Sequence, residues 1–234
     1  MQLNILANHP MFKNLACTGY WGSGYSEDEL HTWSMMLLRH YCIEGRRDML
    51  SDKYGFSYKP GHILDGDFRE GLARWTCKGD VSASKVKGFY LASQGRWCSS
   101  DGASDTFAVL NGKADGPSSL TQVAKGLVPG KAYCLKFLCF DAGAFGAAKL
   151  NCRKYGVEAK LENVSIMDNL SWERVDMRLN GKPGKANFSP VNLRQIVFVA
   201  KAPEATITLE NSGAKPGENL GVSMVSLNPF FLGD

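Results

Sequence analysis

The chain has 234 residues, of which 44% are hydrophobic and 21% charged, close to the averages for globular domains, so intrinsic disorder, collagen and coiled coil are excluded. Its 27 basic and 23 acidic residues give a formal net charge of +4, and because the basic residues form no dense run, nucleic-acid binding is not expected. No apolar stretch reaches the roughly 20 residues that a membrane-spanning helix needs, so no membrane partner is expected.

The first element predicted along the chain is a helix from Ser26 to Glu44. Ser26 and Glu29 have the spacing of a capping box, and Gly45 follows as a helix stop. Apolar residues at helical spacing predict a broad buried face: Leu30, Trp33, Leu37 and Tyr41. Because about 60 residues with one strong helix cannot bury such a face alone, residues 1–62 are expected to dock on the following domain or to end a larger one.

One cluster in this helix has an enzyme-like composition. His40 stands next to Arg39 and four residues before Glu44. Such a pair is also common on ordinary helix surfaces, and the sequence favours that interpretation. No Gly-x-Ser-x-Gly motif or phosphate-binding loop is present, and no carboxylate pair for glycoside hydrolysis can be named from the sequence. The chain is therefore predicted not to be an enzyme.

After His62 the apolar pattern changes to period two, with turn dipeptides between the apolar runs. Nine strands are predicted, at residues 89–92, 106–110, 119–123, 132–141, 157–161, 171–179, 194–200, 205–210 and 221–227. The mixed alternation from Tyr133 to Phe140 fits two sheets packed face to face. The sequence thus predicts a mainly β chain, with a β-sandwich over residues 63–234 behind an N-terminal helical extension.

The seven cysteines form no Cys-x-x-Cys pair, so a zinc site is not expected. Cys134 and Cys139 lie five residues apart in one predicted strand. They should therefore face opposite sides of a sheet and be unable to bridge each other, which predicts buried thiols.

Segments at residues 64–75, 119–137, 198–209 and 219–229 resemble parts of carbohydrate-binding modules with the galactose-binding-like jelly-roll fold. The run from Leu64 to Trp75 is similar to that family's opening pattern, Asn-Gly-Asp-Phe-Glu-x-Gly-Leu-x-x-Trp, with Asp65 where the family usually has asparagine. The run from Ser119 to Phe137 looks like its Gln-x-Val-x-Gly-Leu-x-Pro-Gly-x-x-Tyr segment. The runs from Phe198 to Leu209 and from Asn219 to Pro229 resemble its last two strands. The resemblance implies a jelly-roll β-sandwich in which Trp75 packs in the core beside Phe68.

The first region resembles the stretch that joins large bacterial glycoside-hydrolase-like proteins to a C-terminal carbohydrate-binding domain. The resemblance rests on the surroundings of Trp33, the run from Arg39 to Gly45 and the run from Tyr54 to Tyr58. It implies that a catalytic domain is a partner in a longer secreted protein, located outside the cell or in the periplasm. The start of this chain has no signal-peptide pattern, as expected for a C-terminal part.

Sugar-binding sites pair aromatic faces with planar polar side chains, because a sugar ring has an apolar C–H face and a rim of hydroxyls. Trp97 is the first candidate, since it lies in a polar run where a core role is less natural. The complete candidate set is Trp97, Arg96, Gln94, Asp101, Tyr90 and Trp172. Strand positions usually contribute to the core, so Tyr90 and Trp172 have a structural alternative.

The resemblance also implies a possible structural calcium ion, which needs six to eight hard oxygen ligands. The candidate ligands are Asp65, Asp67, Glu218 and Asn219. No EF-hand-like spacing supports them, and solvated carboxylates in turns are the alternative.

Together these patterns predict a non-catalytic carbohydrate-binding module that targets a glycan-degrading enzyme to a polysaccharide or oligosaccharide. A second hypothesis is a structural or interaction domain without sugar binding. A third is a hydrolase active in its own right. A polar groove with an exposed aromatic would favour the first. An aromatic-free concave face and a large apolar patch on the helix would favour the second. A close, buried carboxylate pair in a cleft would favour the third.

Overall fold

The computed structural model describes residues 2–12, 28–56, 61–86, 105–112, 116–143, 153–178 and 190–232. The chain divides into two compact units. One contains Met1–Pro60 and Pro229–Asp234, and the other contains Gly61–Asn228. Within the described ranges, no helix combines the length and apolar character that a membrane crossing requires.

The first unit is helical. It contains α1 (Gln2–Asn8), α2 (Asp28–Leu38) and α3 (Leu50–Lys53), with a 3-10 turn at Pro10–Phe12 and a π turn at Arg39–Ile43 that continues α2. The predicted helix is confirmed over its described part, from residue 28 to residue 43, whereas Ser26 lies outside the described residues.

Hydrogen bonds from side chains hold the helices of the first unit together. The Tyr41 hydroxyl accepts hydrogen bonds from the Leu50 backbone N–H at 3.3 Å and from the Asn4 amide at 3.3 Å. The amides of Asn4 and Asn8 both donate to the carbonyl oxygen of Arg47, at 3.0 and 2.9 Å. The buried Tyr41 ring thus joins α1 and α3 to the π turn.

Within its described residues, the second unit contains eleven strands. They are β1 (Thr76–Lys78), β2 (Val81–Lys85), β3 (Thr106–Leu110), β4 (Ser119–Lys125), β5 (Ala132–Asp141), β6 (Glu158–Glu162), β7 (Val164–Ile166), β8 (Trp172–Arg178), β9 (Pro190–Ala200), β10 (Glu204–Glu210) and β11 (Leu220–Pro229). A four-stranded sheet has the order β1-β4-β10-β6, and a seven-stranded sheet has the order β2-β3-β11-β5-β9-β7, with β8 also on β9. The chain is mainly β and its two antiparallel sheets form the predicted sandwich.

Eight of the nine predicted strands coincide with observed strands, and the ninth, at residues 89–92, lies outside the described residues. Strands β1, β2 and β7 were not expected. They have three to five residues and side chains that are exposed or half-buried. Because they lack a buried face, they carry no apolar alternation that the sequence could reveal.

The strand β5 buries both of its faces. Tyr133 marks the inner face, because its ring packs edge-on against His62 at 5.4 Å, and His62 donates to the carbonyl of Lys125 at the end of β4 in the other sheet. Cys139 shares this face, since it lies an even number of residues from Tyr133, and Cys134 lies on the outer face. This confirms that the two cysteines do not bridge each other.

The opening turn of the second unit, residues 65–75, contains one buried aromatic pair. Phe68 and Trp75 are both buried and stack with ring centroids 5.5 Å apart, which confirms the predicted core pair. The Asp65 carboxylate accepts the backbone N–H groups of Arg69 at 2.8 Å and Glu70 at 3.0 Å, and the Trp75 indole N–H donates to the Asp65 carbonyl at 3.2 Å. Asp65 is in the left-handed region with φ 51°, where aspartate and asparagine are the best-tolerated side-chain-bearing residues.

Gly66 is fixed in this turn by a backbone contact with the last strand. The Val225 N–H donates to the Gly66 carbonyl at 2.9 Å, and a Cβ added at Gly66 would lie 1.8 Å from the Val225 carbonyl oxygen. Any side chain at this position must therefore push the opening turn away from β11.

We expect Gly66→Ala to lower the free energy of unfolding by about 1–3 kcal/mol, the usual cost of inserting a methyl group into a packed site. Gly143→Ala is the matched control, because a Cβ there would lie 3.4 Å from its nearest neighbour, Asp141 Oδ1. Urea unfolding followed by tryptophan fluorescence measures both variants. Equal stability of the two variants would contradict the steric role of Gly66.

Burial and the neighbouring Glu173 carboxylate raise the pKa of the Cys139 thiol to about 12. Because the thiolate is the reactive form, we expect Cys139 to resist iodoacetamide in the native protein and to react after unfolding. Cys77, exposed on β1, is the internal comparison. Peptide mass spectrometry before and after denaturation measures both thiols, and native labelling of Cys139 to the same extent as Cys77 would contradict the expectation.

Candidate functional site

Of the six predicted sugar-binding residues, Trp172 belongs to the described structure. The other five lie outside the described residues and stay predictions from the sequence: Tyr90, Gln94, Arg96, Trp97 and Asp101. Trp172 is the first residue of β8 and is half-buried. Its surroundings therefore define the candidate site that the structure describes.

Three side chains form a row across the outer face of the seven-stranded sheet. Trp172 pairs with Gln195 of β9, and Gln195 pairs with Lys136 of β5. Directly paired residues of antiparallel strands point to the same face. Lys136 lies three residues from Tyr133, which faces inwards, so the row lies on the opposite, outer face. We call Trp172, Gln195 and Lys136 the tryptophan row.

Arg174 extends this row along β8. It lies two residues after Trp172, on the same face, and is exposed. Its guanidinium carbon lies 5.0 Å from the centroid of the Trp172 ring, a cation–π distance. The contact orients the indole and places the guanidinium, with its planar group of N–H donors, over one face of the ring, so a ligand would stack on the opposite face.

Gln195 contributes a hydrogen-bond acceptor that its surroundings leave unused. Its side chain is 5% exposed, and its Nε2 donates to the carbonyl of Leu170 at 3.1 Å. Its Oε1 has no hydrogen-bond partner in the structure as described. A buried acceptor without a partner costs about 1–3 kcal/mol, which a donor placed there would recover.

A short turn fixes the start of β8. Strands β7 and β8 run one after the other along the same edge of β9, separated by the 3-10 turn Asp168–Leu170. The Ser171 hydroxyl donates to the Met167 carbonyl at 2.8 Å and accepts the Val197 N–H at 3.0 Å. Trp172 is therefore held by backbone pairing on a regular strand and not by a loose loop.

The inner side of the same strand carries an ion-pair network. Glu173 lies 3.0 Å from the Lys154 ammonium and 3.8 Å from the Arg194 guanidinium. Arg194 also lies 3.8 Å from Glu158 and donates to the Val157 carbonyl, so it connects β9 with the start of β6 in the other sheet. The network joins the two sheets directly behind the tryptophan row.

Two of the four predicted calcium ligands lie in the opening turn. The Asp65 carboxylate is occupied by backbone N–H groups, and the Asp67 carboxylate lies 2.6 Å from the Arg69 guanidinium. The Thr106 hydroxyl, at the start of β3, donates to the Asp67 carbonyl at 3.1 Å. This pair therefore lies beside the first residue of β3.

The other two predicted ligands lie beyond the opposite end of β3. Asn219 Oδ1 accepts the Gly112 N–H at 3.2 Å, and Glu218 pairs with Arg153 and accepts the Lys215 N–H. The four steps of β3 separate the two pairs by roughly 13 Å, so the four ligands are not brought together. Among the residues with described positions, no group of three or more potential metal-binding His, Cys, Asp or Glu side chains occurs. Calcium binding stays a prediction.

Gln195, Lys136 and Arg174 were absent from the sequence-based site. The spacing of two between Trp172 and Arg174 is a signal that the sequence contains, since alternate residues of a strand share a face. Gln195 and Lys136 join the site through strand register, which the sequence pattern does not specify.

Neither the protein-family models nor the curated proteins include a match to this chain. Solved structures with a similar chain path include TmCBM61 in complex with β-1,4-galactotriose, at 15% identity and a TM-score of 0.42, covering 73% of this chain and 99% of that one. A family 16 carbohydrate-binding module is similar at 14% identity and a TM-score of 0.43, covering 72% and 99%. The enzymatically active domain of bacteriophage CBA120 tailspike protein 4 is similar at 13% identity and a TM-score of 0.42, and the match covers 73% of this chain and 21% of the tailspike chain.

We expect Glu173→Gln to lower the free energy of unfolding by about 2 kcal/mol, because it leaves the mostly buried Arg194 guanidinium with a weaker partner. Glu70→Gln is the matched control, since Glu70 pairs with Arg74 at the surface and its side chain is 55% exposed. That control should change stability by less than about 0.5 kcal/mol. Chemical denaturation measures both variants, and equal effects would show that the Glu173 network does not join the sheets.

Proposed function

We propose that this chain is a non-catalytic carbohydrate-binding module and that the tryptophan row is its sugar-binding surface. The observation that carries the proposal is the half-buried Trp172 ring beside a guanidinium and an unpartnered amide oxygen, on the outer face of a β-sandwich.

The chemistry of these groups complements a pyranose ring. The Trp172 indole offers an apolar face to sugar C–H groups, and Gln195 Oε1 accepts a hydrogen bond from a sugar hydroxyl. Arg174 and Lys136 donate to ring and hydroxyl oxygens. If each heavy atom of the ligand contributes about 0.3 kcal/mol of binding free energy, one sugar residue would bind with a dissociation constant near 1 mM. Useful affinity therefore requires several sugar residues or several modules.

The resemblance of the first region to enzyme linker segments supports the finer part of the proposal. In a longer secreted protein, extracellular or periplasmic, weak sugar contacts would hold an attached catalytic domain at high effective concentration on a polysaccharide. The module would then raise the turnover of an insoluble substrate and leave the chemistry to the catalytic domain.

A second candidate function rests on the surface of the first unit. Met11, Met35 and Ile43 are large apolar side chains that are 78%, 50% and 80% exposed. Side chains of this kind are typical of protein interaction sites where they form one contiguous patch. A structural or interaction domain that does not bind sugar itself would explain their exposure.

We expect the purified chain to bind a subset of an array of oligosaccharides and polysaccharides, and Trp172→Ala to weaken that binding about tenfold or more, because the stacking surface is removed. Titration calorimetry with the best glycan measures the effect. Val123→Ala is the matched control, since it removes an apolar side chain of 41% exposure from the four-stranded sheet.

Trp97→Ala in the same experiment separates the possible locations. Loss of binding in Trp97→Ala with full binding in Trp172→Ala would place sugar binding on the polar run around Trp97, residues 93–102. That result would overturn the tryptophan row as the site. An absence of binding to every glycan would overturn the carbohydrate-binding proposal and favour the interaction domain.

A further inference from the structure

The first unit contains a cleft of about 340 Å³ that the tryptophan row does not involve. Most of its lining is polar, and the side chains relevant to binding are Arg39, His40, Glu44, Lys53, Tyr54 and Phe231. They come from the π turn after α2, from α3 with the residue that follows it, and from the end of the chain. We call this space the His40 cleft.

The π turn brings the polar side of the cleft together. The Glu44 N–H donates to the Arg39 carbonyl at 2.8 Å, five residues back, which is the hydrogen bond of a π turn. Residues five apart diverge on an α-helix, but here the Arg39 guanidinium lies 3.0 Å from the Glu44 carboxylate. Short π segments of this kind are frequent at functional sites.

His40 presents a nitrogen that has no partner. The side chain is 2% exposed, its Nε2 lies 2.9 Å from the Asp48 carbonyl, and its Nδ1 has no hydrogen-bond partner in the structure as described. Because a carbonyl oxygen only accepts, Nε2 must carry the proton, and Nδ1 of the neutral ring is then an acceptor. The missing partner is therefore a donor, such as a hydroxyl group.

The Asp48 carboxylate reinforces this tautomer. Its Oδ1 lies 3.8 Å from His40 Nε2. A double hydrogen bond from Arg46, at 2.9 and 2.9 Å, lowers the pKa of Asp48 to about 2 and keeps it anionic. A fixed negative charge on the Nε2 side favours the tautomer of the neutral ring that carries its proton on Nε2.

One cationic side chain of the cleft has no counter-charge among the described residues. Arg39 and Glu44 neutralise each other. Lys53 is exposed, lies 5.7 Å from the Tyr54 ring centroid, and has no carboxylate within ion-pair distance among the described residues. An anionic group on a ligand would find its counter-charge at this ammonium.

Two aromatic rings give the cleft an apolar wall. Tyr54 and Phe231 meet edge to face, with ring centroids 4.8 Å apart, and Trp33 stacks on Phe231 at 5.6 Å. Their packing holds the rings in place, so the wall exists before any ligand binds. Such a wall suits the C–H face of a saturated ring.

We propose that the His40 cleft binds a uronic acid, the carboxylate form of a hexose. A ring hydroxyl donates to His40 Nδ1, the C–H face lies on Tyr54 and Phe231, and the carboxylate pairs with Lys53. The polar lining favours a ligand with several hydroxyls over an aromatic acid, and 340 Å³ is at the lower end of the usual size of ligand pockets. The site belongs to a different unit from the tryptophan row and does not depend on that proposal.

The test is calorimetric titration of the full chain with glucuronate and galacturonate, with glucose and galactose as their neutral counterparts. We expect a dissociation constant near 1 mM for a uronate and binding at least tenfold weaker for the matching neutral sugar. Lys53→Gln should weaken uronate binding about tenfold, whereas Lys201→Gln, an exposed lysine of the second unit, should leave it unchanged.

His40→Phe tests the buried nitrogen, because it keeps an aromatic ring and removes both ring nitrogens. We expect loss of uronate binding with a retained circular dichroism spectrum. If this variant fails to fold, Lys53→Gln and the comparison of charged with neutral sugars still decide the question.

Several results would overturn the proposal. One is the absence of uronate binding up to about 20 mM, and another is uronate binding by Lys53→Gln as tight as that of the unmodified chain. A third is equally tight binding of inorganic phosphate or 4-hydroxybenzoate, which would make the cleft a general anion site. Trp172→Ala separates the two sites, since it should weaken binding of the best glycan at the tryptophan row about tenfold or more and leave binding of free uronates unchanged.

Discussion

The second unit depends on one close backbone contact, between Gly66 in the opening turn and Val225 in the last strand. No side chain fits between the Gly66 α-carbon and the Val225 carbonyl, so the two ends of the sandwich sequence meet at hydrogen-bond distance. This contact places Phe68 and Trp75 over the core, and the Asp65 carboxylate caps the turn that holds them. Both rings are buried, and burial of their apolar surface stabilises the turn in this position.

Much of this architecture follows from the sequence. The strands from β3 onwards, except β7, were predicted from period-two alternation and turn dipeptides, because their side chains face a core that imposes the pattern. The stack of Phe68 on Trp75 followed from a short motif whose spacing the turn requires. The short exposed strands β1, β2 and β7 were missed because pairing with a neighbour, and not burial, makes them strands.

The candidate sites were less predictable, for a physical reason. Trp172 was named from its residue type, but Gln195 and Lys136 reach it through strand register across three strands, which is a property of the assembled sheet. The calcium candidates are the opposite case. Their residue types suggested a single site, but β3 separates the four residues into two pairs. In the first unit, the cluster of Arg39, His40 and Glu44 was visible in the sequence, but the π turn that pairs Arg39 with Glu44 and the unpartnered His40 nitrogen were not.

The short polar strands have a consequence for behaviour at high concentration. A sheet edge with unpaired backbone groups is a template for aggregation unless it is brief or charged. Here β1 and β6 close the four-stranded sheet with the sequences Thr-Cys-Lys and Glu-Ala-Lys-Leu-Glu, and β2 closes one side of the seven-stranded sheet with Val-Ser-Ala-Ser-Lys. At high protein concentration these three edges, which are short or charged, would resist the addition of a strand from a neighbouring copy.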